Sequence, residues 1–202
     1  MYDQVKDYLA ACADFAALPP ERRVVLDALA AFIRQEHAAG RPALLTFICT
    51  HNSRRSVFGQ VWAQAAAQYY GVGPVACFSG GTEATACNPR TVAALERAGI
   101  SAQRITGGDN PVYLLQYAAG VPPLAAFSKV YDQPPNPRSG FAAVMTCAQA
   151  EAECPFVPGA ARRFSLPFDD PKAADGTPGE ADVYDARCRQ IAREMLYVFS
   201  TV

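Results

Sequence analysis

The sequence predicts an α/β protein built on parallel strands, with two helices added ahead of them. Three observations carry this. Residues 43–49, 75–79 and 141–146 are apolar runs without polar alternation, the form taken by strands that are covered on both faces. The segments around them carry apolar residues at helical spacing, and Gly and Pro punctuate the joins. With 202 residues, half of them apolar and 18% charged, the chain can bury one substantial core.

In chain order, residues 3–16 place Val5, Tyr8, Leu9, Cys12 and Phe15 on one helical face. Residues 22–38 do the same with Val25, Leu26, Leu29, Phe32 and Ile33, after the break at Pro19-Pro20. Gly40-Arg41-Pro42 stops the second helix, so residues 1–42 form a helical extension packed on a domain of residues 43–202. The strand at 43–49 leads through a polar turn into a helix from Ser53 to Tyr70, with Val57, Phe58, Val61, Trp62, Ala65 and Tyr69 inward. A strand at 75–79 follows Gly73-Pro74, and Asn88-Pro89 opens a helix with Val92 and Leu95 inward that stops at Gly99. The right-handed crossover rule makes the first two strands parallel neighbours. Residues 111–118 and 124–131 read as strands around Gly120-Val121-Pro122-Pro123, 141–146 as a buried strand ending at Cys147, and 179–199 as a final helix striped by Tyr184, Cys188, Ile191, Met195 and Val198.

A net charge of −1 and the lack of a long basic run argue against nucleic acid as a partner. Two histidines and no Cys-x2-Cys pair give little material for a zinc site, and neither a metal nor a cofactor is expected. The first residues lack a basic region followed by an apolar run, and no stretch approaches the ~18 apolar residues of a membrane span. A cytosolic protein without membrane contact is expected, in which seven cysteines read as buried thiols or redox chemistry.

Chemistry concentrates where the first strand ends, at Cys49-Thr50-His51-Asn52-Ser53-Arg54-Arg55-Ser56. A loop leading into a helix aims several backbone NH groups at one point, and Arg55, at Cys-x5-Arg spacing, adds a forked cation. A tetrahedral oxyanion fits that field, which also favours the thiolate of Cys49 as a nucleophile. Asn52 suits the left-handed backbone of a tight loop, and the Ser56 hydroxyl is placed to donate to the sulfur. Arg54, by the usual behaviour of loop arginines, is expected in solvent. In Phe168-Asp169-Asp170-Pro171 a carboxylic acid could protonate a leaving oxygen, although Asp-Pro alone is ordinary turn chemistry. Cys147 ends a strand of the same sheet as Cys49, so the two thiols could meet at its carboxyl edge, with Cys154 six residues beyond. Two half-buried loop thiols are an equal alternative. Cys12, Cys77 and Cys188 read as core, and Cys87 as a spectator at a helix start.

Residues 43 to about 199 resemble the low-molecular-weight protein tyrosine phosphatase fold, and specifically the thioredoxin-coupled arsenate reductases built on it. The Cys49–Ser56 loop is similar to the family's Cys-Thr-Gly-Asn-Ser-Cys-Arg-Ser, with His51 in place of glycine and Arg54 in place of cysteine. Cys147 through Cys154-Pro155 is similar to the reductases' redox segment, Phe168–Pro171 to the acid loop, and Ser79–Ala84 with Asn88-Pro89-Arg90 to the second strand and next helix. Gln60 stands where some reductases carry a potassium-binding glutamate, and that metal site is not carried over. The 107–138 segment and the N-terminal helices look like additions that cover the core, build a dimer surface or border the active site.

The resemblance implies a small parallel sheet flanked by helices, and arsenate reduction by a three-cysteine relay. Cys49 attacks arsenate held by the loop and Arg55 while Asp170 supplies a proton, Cys147 attacks Cys49, and Cys154 resolves the disulfide through a mobile 148–153 loop with no apolar anchor, for recycling by thioredoxin. The rival is a phosphatase that hydrolyses a Cys49 phosphoenzyme with Arg55 and Asp170 alone. A third possibility is a non-catalytic oxyanion or thiol sensor.

Overall fold

The computed structural model describes residues 1–202. Four parallel strands form the central sheet in the order β2-β1-β6-β7, with β1 at Ala43–Cys49, β2 at Val75–Gly81, β6 at Phe141–Met145 and β7 at Ala160–Ser165. Between β2 and β6 the chain makes a separate antiparallel sheet from β3 (Ser101–Arg104), β4 (Tyr113–Gln116) and β5 (Leu124–Ala126). The helices are α1 (Asp3–Cys12), α2 (Pro20–Ala38), α3 (Arg55–Tyr70), α4 (Pro89–Arg97), α5 (Ala148–Glu153) and α6 (Glu180–Ser200).

Strand alternation sorts the core into two unequal parts. Leu45, Phe47, Ala142, Val144 and Phe164 join one large cluster with side chains of α1, α2, α3, α4 and α6. Ile48, Phe141, Ala143 and Met145 join a small one whose other members include Cys49, Cys147, Ala150 and Val157. On the large side, Trp62 of α3 is fully buried and stacks on Tyr8 of α1 at 5.0 Å. Burying a large side chain of this kind contributes roughly 1.5–3 kcal/mol. Gly59 lets α3 lie close on the sheet, since a Cβ there would stand 2.4 Å from the Phe47 ring.

The N-terminal helices pack on α6. Arg22 of α2 pairs with the buried Glu194 at 2.5 Å, sits over the Phe168 ring at 4.7 Å, and donates to the Pro167 carbonyl at 2.8 Å. The extension thus covers the core and also reaches the segment before Asp170. No helix is long and apolar enough to cross a membrane.

Several boundaries and elements differ from expectation. The first helix stops at Cys12 instead of 16, and Phe15–Ala17 make a 3-10 turn capped by the Asp14 carboxylate. The expected strand at 124–131 ends at Ala126. The chain then leaves the hairpin and Val130 bridges in parallel to Gly81 at the end of β2. β3 and β7 were not expected. β7 reads Ala-Ala-Arg-Arg-Phe-Ser with only Phe164 buried, so its apolar signal is a single residue. The expected mobile loop at 148–153 is the helix α5, and Ala150 is its fully buried anchor.

Candidate active site

The carboxyl edge of β1 and β6 brings the candidate groups together through backbone hydrogen bonds. Thr146 N donates to the Ile48 carbonyl at 2.7 Å, and Phe168 N to the Thr146 carbonyl at 3.1 Å. Residues 48, 146 and 168 therefore lie side by side, and Cys49, Cys147 and Asp170 follow one or two positions later on adjacent segments. Ligand sites in parallel sheets form at this edge.

Cys49 is buried, and its sulfur lies 3.1 Å from Ser56 Oγ, which in turn accepts from Asn52 Nδ2 at 2.9 Å. Asn52 holds φ at 47°, the left-handed turn expected of it, and its Oδ1 accepts from Lys129 N at 3.1 Å. The loop is fixed from outside as well. Thr82 N and Glu83 N donate to the carbonyls of Cys49 and Thr50, Ser128 Oγ to that of His51, and Asn88 N to that of Ser53. None of the backbone amides from Thr50 to Arg54 donates to a protein acceptor, because every tie to the loop uses its carbonyls or side chains. Free NH groups in a loop that follows a buried thiol are the donors an oxyanion cradle requires. Gly81 permits the close approach, since a Cβ there would stand 2.5 Å from the Thr50 carbonyl oxygen and 2.8 Å from Asn52 N.

Arg55 opens α3 and points its fork at the acid segment. Its Nη2 donates to Asp170 Oδ2 at 2.7 Å and its Nη1 to the Phe168 carbonyl at 3.1 Å. Asp170 caps the 3-10 turn Pro171–Ala174 through Lys172 N, whereas Asp169 points into solvent, 96% exposed, beside Arg187. His51 is half exposed and lies 2.8 Å from Glu83.

Arg54 departs from expectation. Its side chain is 11% exposed, its Nε donates to Tyr184 Oη at 2.7 Å, and its Nη2 to Asp175 at 3.2 Å. Tyr184, read from the sequence only as part of an apolar stripe, donates to Asp175 Oδ1 at 2.7 Å, and burial pushes its phenol up to about 12. Asp175 sits in an Ala-Asp-Gly turn, and no sequence pattern points to it. The buttress of Ser128 and Lys129 was missed as well, because it lies where the expected strand 124–131 fails.

The second thiol lies next to the cradle. Cys147 is buried, its sulfur is 3.4 Å from Thr50 Oγ1, and it caps α5 by accepting from Ala150 N. Cys154 ends the same helix, half buried, with its thiol shifted up by burial and by Glu153 and partly back by Arg163. All seven cysteines are free thiols in this state. Cys87 is buried and pushed up to about 12, consistent with a spectator. Cys77 and Cys188 are shifted upward by the same burial.

Comparison with known proteins follows the same lines. Residues 44–107 match the family model described as low molecular weight phosphotyrosine protein phosphatase. The arsenate reductase of Bacillus subtilis (strain 168) is 30% identical over 146 residues, covering 72% of this chain and 86% of the relative. That of Halalkalibacterium halodurans is 30% identical over 137 residues, covering 68% and 80%. The crystal structure of the low molecular weight protein tyrosine phosphatase from T. tengcongensis shares the fold with a TM-score of 0.50 at 13% identity, covering 79% of this chain and 99% of that one. The chain is therefore an enzyme of the low-molecular-weight phosphotyrosine protein phosphatase superfamily and belongs with the arsenate reductases of that family.

Proposed function

We propose that this protein reduces arsenate to arsenite by a thiol relay through Cys49, Cys147 and Cys154. The observation that carries the reading is the placement of Cys147 beside Thr50, in the same small apolar cluster as Cys49. The Cys49 thiolate attacks arsenic in an arsenate held by the loop amides and Arg55. Asp170 gives a proton to the departing oxygen, and water leaves. Cys147 thiolate then attacks Cys49 sulfur. The sulfur–arsenic bond breaks with its electron pair passing to arsenic, which falls from As(V) to As(III), and a Cys49–Cys147 disulfide forms. Cys154 thiolate attacks Cys147 and frees Cys49.

The last step requires α5 to unwind. Seven residues along a helix separate the Cα atoms of Cys147 and Cys154 by roughly 10 Å, whereas a disulfide needs about 4.4–6.8 Å. Ala150 is the one residue of α5 buried in the core, so unwinding gives up little apolar contact. The resulting Cys147–Cys154 disulfide is reduced by an external dithiol protein of the thioredoxin class, and Phe156, 76% exposed two residues past Cys154, offers it apolar surface.

A second reading is phosphomonoester hydrolysis through a Cys49 phosphoenzyme. The family match favours it, and it needs only the cradle, Arg55 and Asp170. NADPH consumption with arsenate, thioredoxin and thioredoxin reductase, with arsenite assayed directly, decides between the two. Sustained arsenite production lost in both Cys49→Ser and Cys154→Ser establishes the relay. No arsenite from a protein that cleaves aryl phosphates establishes the phosphatase.

A further inference from the structure

We infer that Arg54 is a positioning residue that, through Asp175 and Tyr184, holds the acid turn over Cys49 while Arg55 is engaged by the oxyanion. The inference rests on the reading of Asp170 as the proton donor.

Two consecutive arginines grip opposite ends of one short turn. Asp170 caps the start of Pro171–Ala174 and pairs with Arg55, while Asp175 caps its end and pairs with Arg54. Arg55 has a second task. A tetrahedral anion seated on the amides of residues 50–54 draws the same guanidinium fork that now binds Asp170 and the Phe168 carbonyl. As the anion arrives, that end of the turn loosens at the moment its carboxyl must stand over the leaving oxygen.

Arg54 has no such conflict. Its Nε and one Nη2 hydrogen are engaged by Tyr184 and Asp175, and Tyr184 is fully buried in α6 and donates to the same carboxylate. Asp175 is thereby held by a phenol and a guanidinium that are themselves hydrogen-bonded to each other, a closed three-membered network. Arg90, 2.6 Å from Glu180, lies 3.9 Å from Asp175 as a further cation, and Arg54 Nε stands 3.9 Å from Asp170 itself. A cysteine at position 54, as in the family loop, could not span from the loop to α6 in this way.

The test separates this clasp from the reductase reading by using two readouts. In the free protein, Asp170→Asn removes the Arg55 ion pair while keeping a good turn cap. Amide hydrogen exchange over residues 168–176 should then stay within about 3-fold of the unmodified protein, and should rise at least ~10-fold when Arg54→Met is added, with β1 and β6 unchanged. Opening in Asp170→Asn alone, or protection persisting in the double variant, overturns the clasp. In single turnover with arsenate, Arg54→Met and the less disruptive Tyr184→Phe should slow Cys49 adduct formation, Arg54→Met by about 10- to 100-fold, with half-saturation moved less than about 3-fold. A raised half-saturation at unchanged rate would make Arg54 a substrate ligand and overturn the proposal. If the unmodified protein does no chemistry on arsenate, the reductase reading falls and hydrogen exchange alone decides the clasp.

Discussion

The Cys49 loop and the Cys147–Cys154 helix both carry thiols at one sheet edge, yet they are held to different degrees. The first is tied by carbonyl and side-chain hydrogen bonds to Thr82 and Glu83 just past β2, to the 85–88 segment and to residues 128–129. The second is one short helix with a single buried residue, held otherwise by surface contacts of Glu151 with Arg163 and Ser165 and of Glu153 with Thr82. A loop that must present amides to an anion gains from rigidity, because preorganised donors need no reorganisation during the reaction. In the proposed relay, a segment that delivers one sulfur to two partners in turn gains from a low cost of unfolding.

Substitution at the two sulfurs is expected to have the largest effects. Cys49→Ser is expected to lower both arsenate reduction and any phosphatase activity by on the order of 10⁴-fold or more, read by arsenite release and by p-nitrophenol release. Cys154→Ser should leave one arsenite per protein and then stop, with a Cys49–Cys147 disulfide found by mass spectrometry. Continued turnover in that variant would sink the relay. Next comes the rigidity of the loop. Gly81→Ala forces a methyl against the Thr50 carbonyl and Asn52 N, and should cost about 1–3 kcal/mol in urea unfolding together with a loss of oxyanion affinity. A variant as stable and as tight-binding as the parent would show that the loop gives way more easily than its contacts imply.

The smaller effects probe the helix. Ala152→Gly lowers helix propensity by about 1 kcal/mol, so Cys147–Cys154 disulfide formation should speed up by up to about 5-fold. An unchanged rate places the barrier elsewhere. The Cys154 thiol is shifted upward, chiefly by burial. At neutral pH it is mostly protonated, and its thiolate fraction rises with pH. The resolving step measured by rapid quench should therefore accelerate by nearly ~10-fold per pH unit between about pH 7 and 8, and a flat profile argues that another step limits it.

Much of this contrast is legible in the sequence, and the rest fails for local reasons. Cys49, Asn52, Arg55 and Ser56 are legible because strand, turn and helix each have a strong pattern and the loop chemistry depends on residues adjacent in sequence. Ala150 is not, since an alanine among alanines and glutamates carries no hydrophobic signal, and its burial arises only from what β6 places beneath it. β7 escapes for the same reason, with Phe164 alone buried. Arg54 misleads because the rule that loop arginines are solvated takes no account of Asp175 and Tyr184, which lie 121 and 130 residues away. Partners at that distance are set by topology.

The packing of α1 and α2 against α6 bears on how the protein is made. Val5, Leu9, Leu26 and Ile33 are synthesised long before Tyr184, Ile191 and Met195, with which they share the large core. Until then the apolar stripes of α1 and α2 lack their α6 partners, and contacts this distant in sequence form slowly. Closing the molecule is therefore a late event in which the last helix meets the first two. The Arg22–Glu194 pair, formed only then, joins α6 to the helix whose Arg22 also holds the Pro167-Phe168 segment, so this support of the acid turn is complete only after α6 is made.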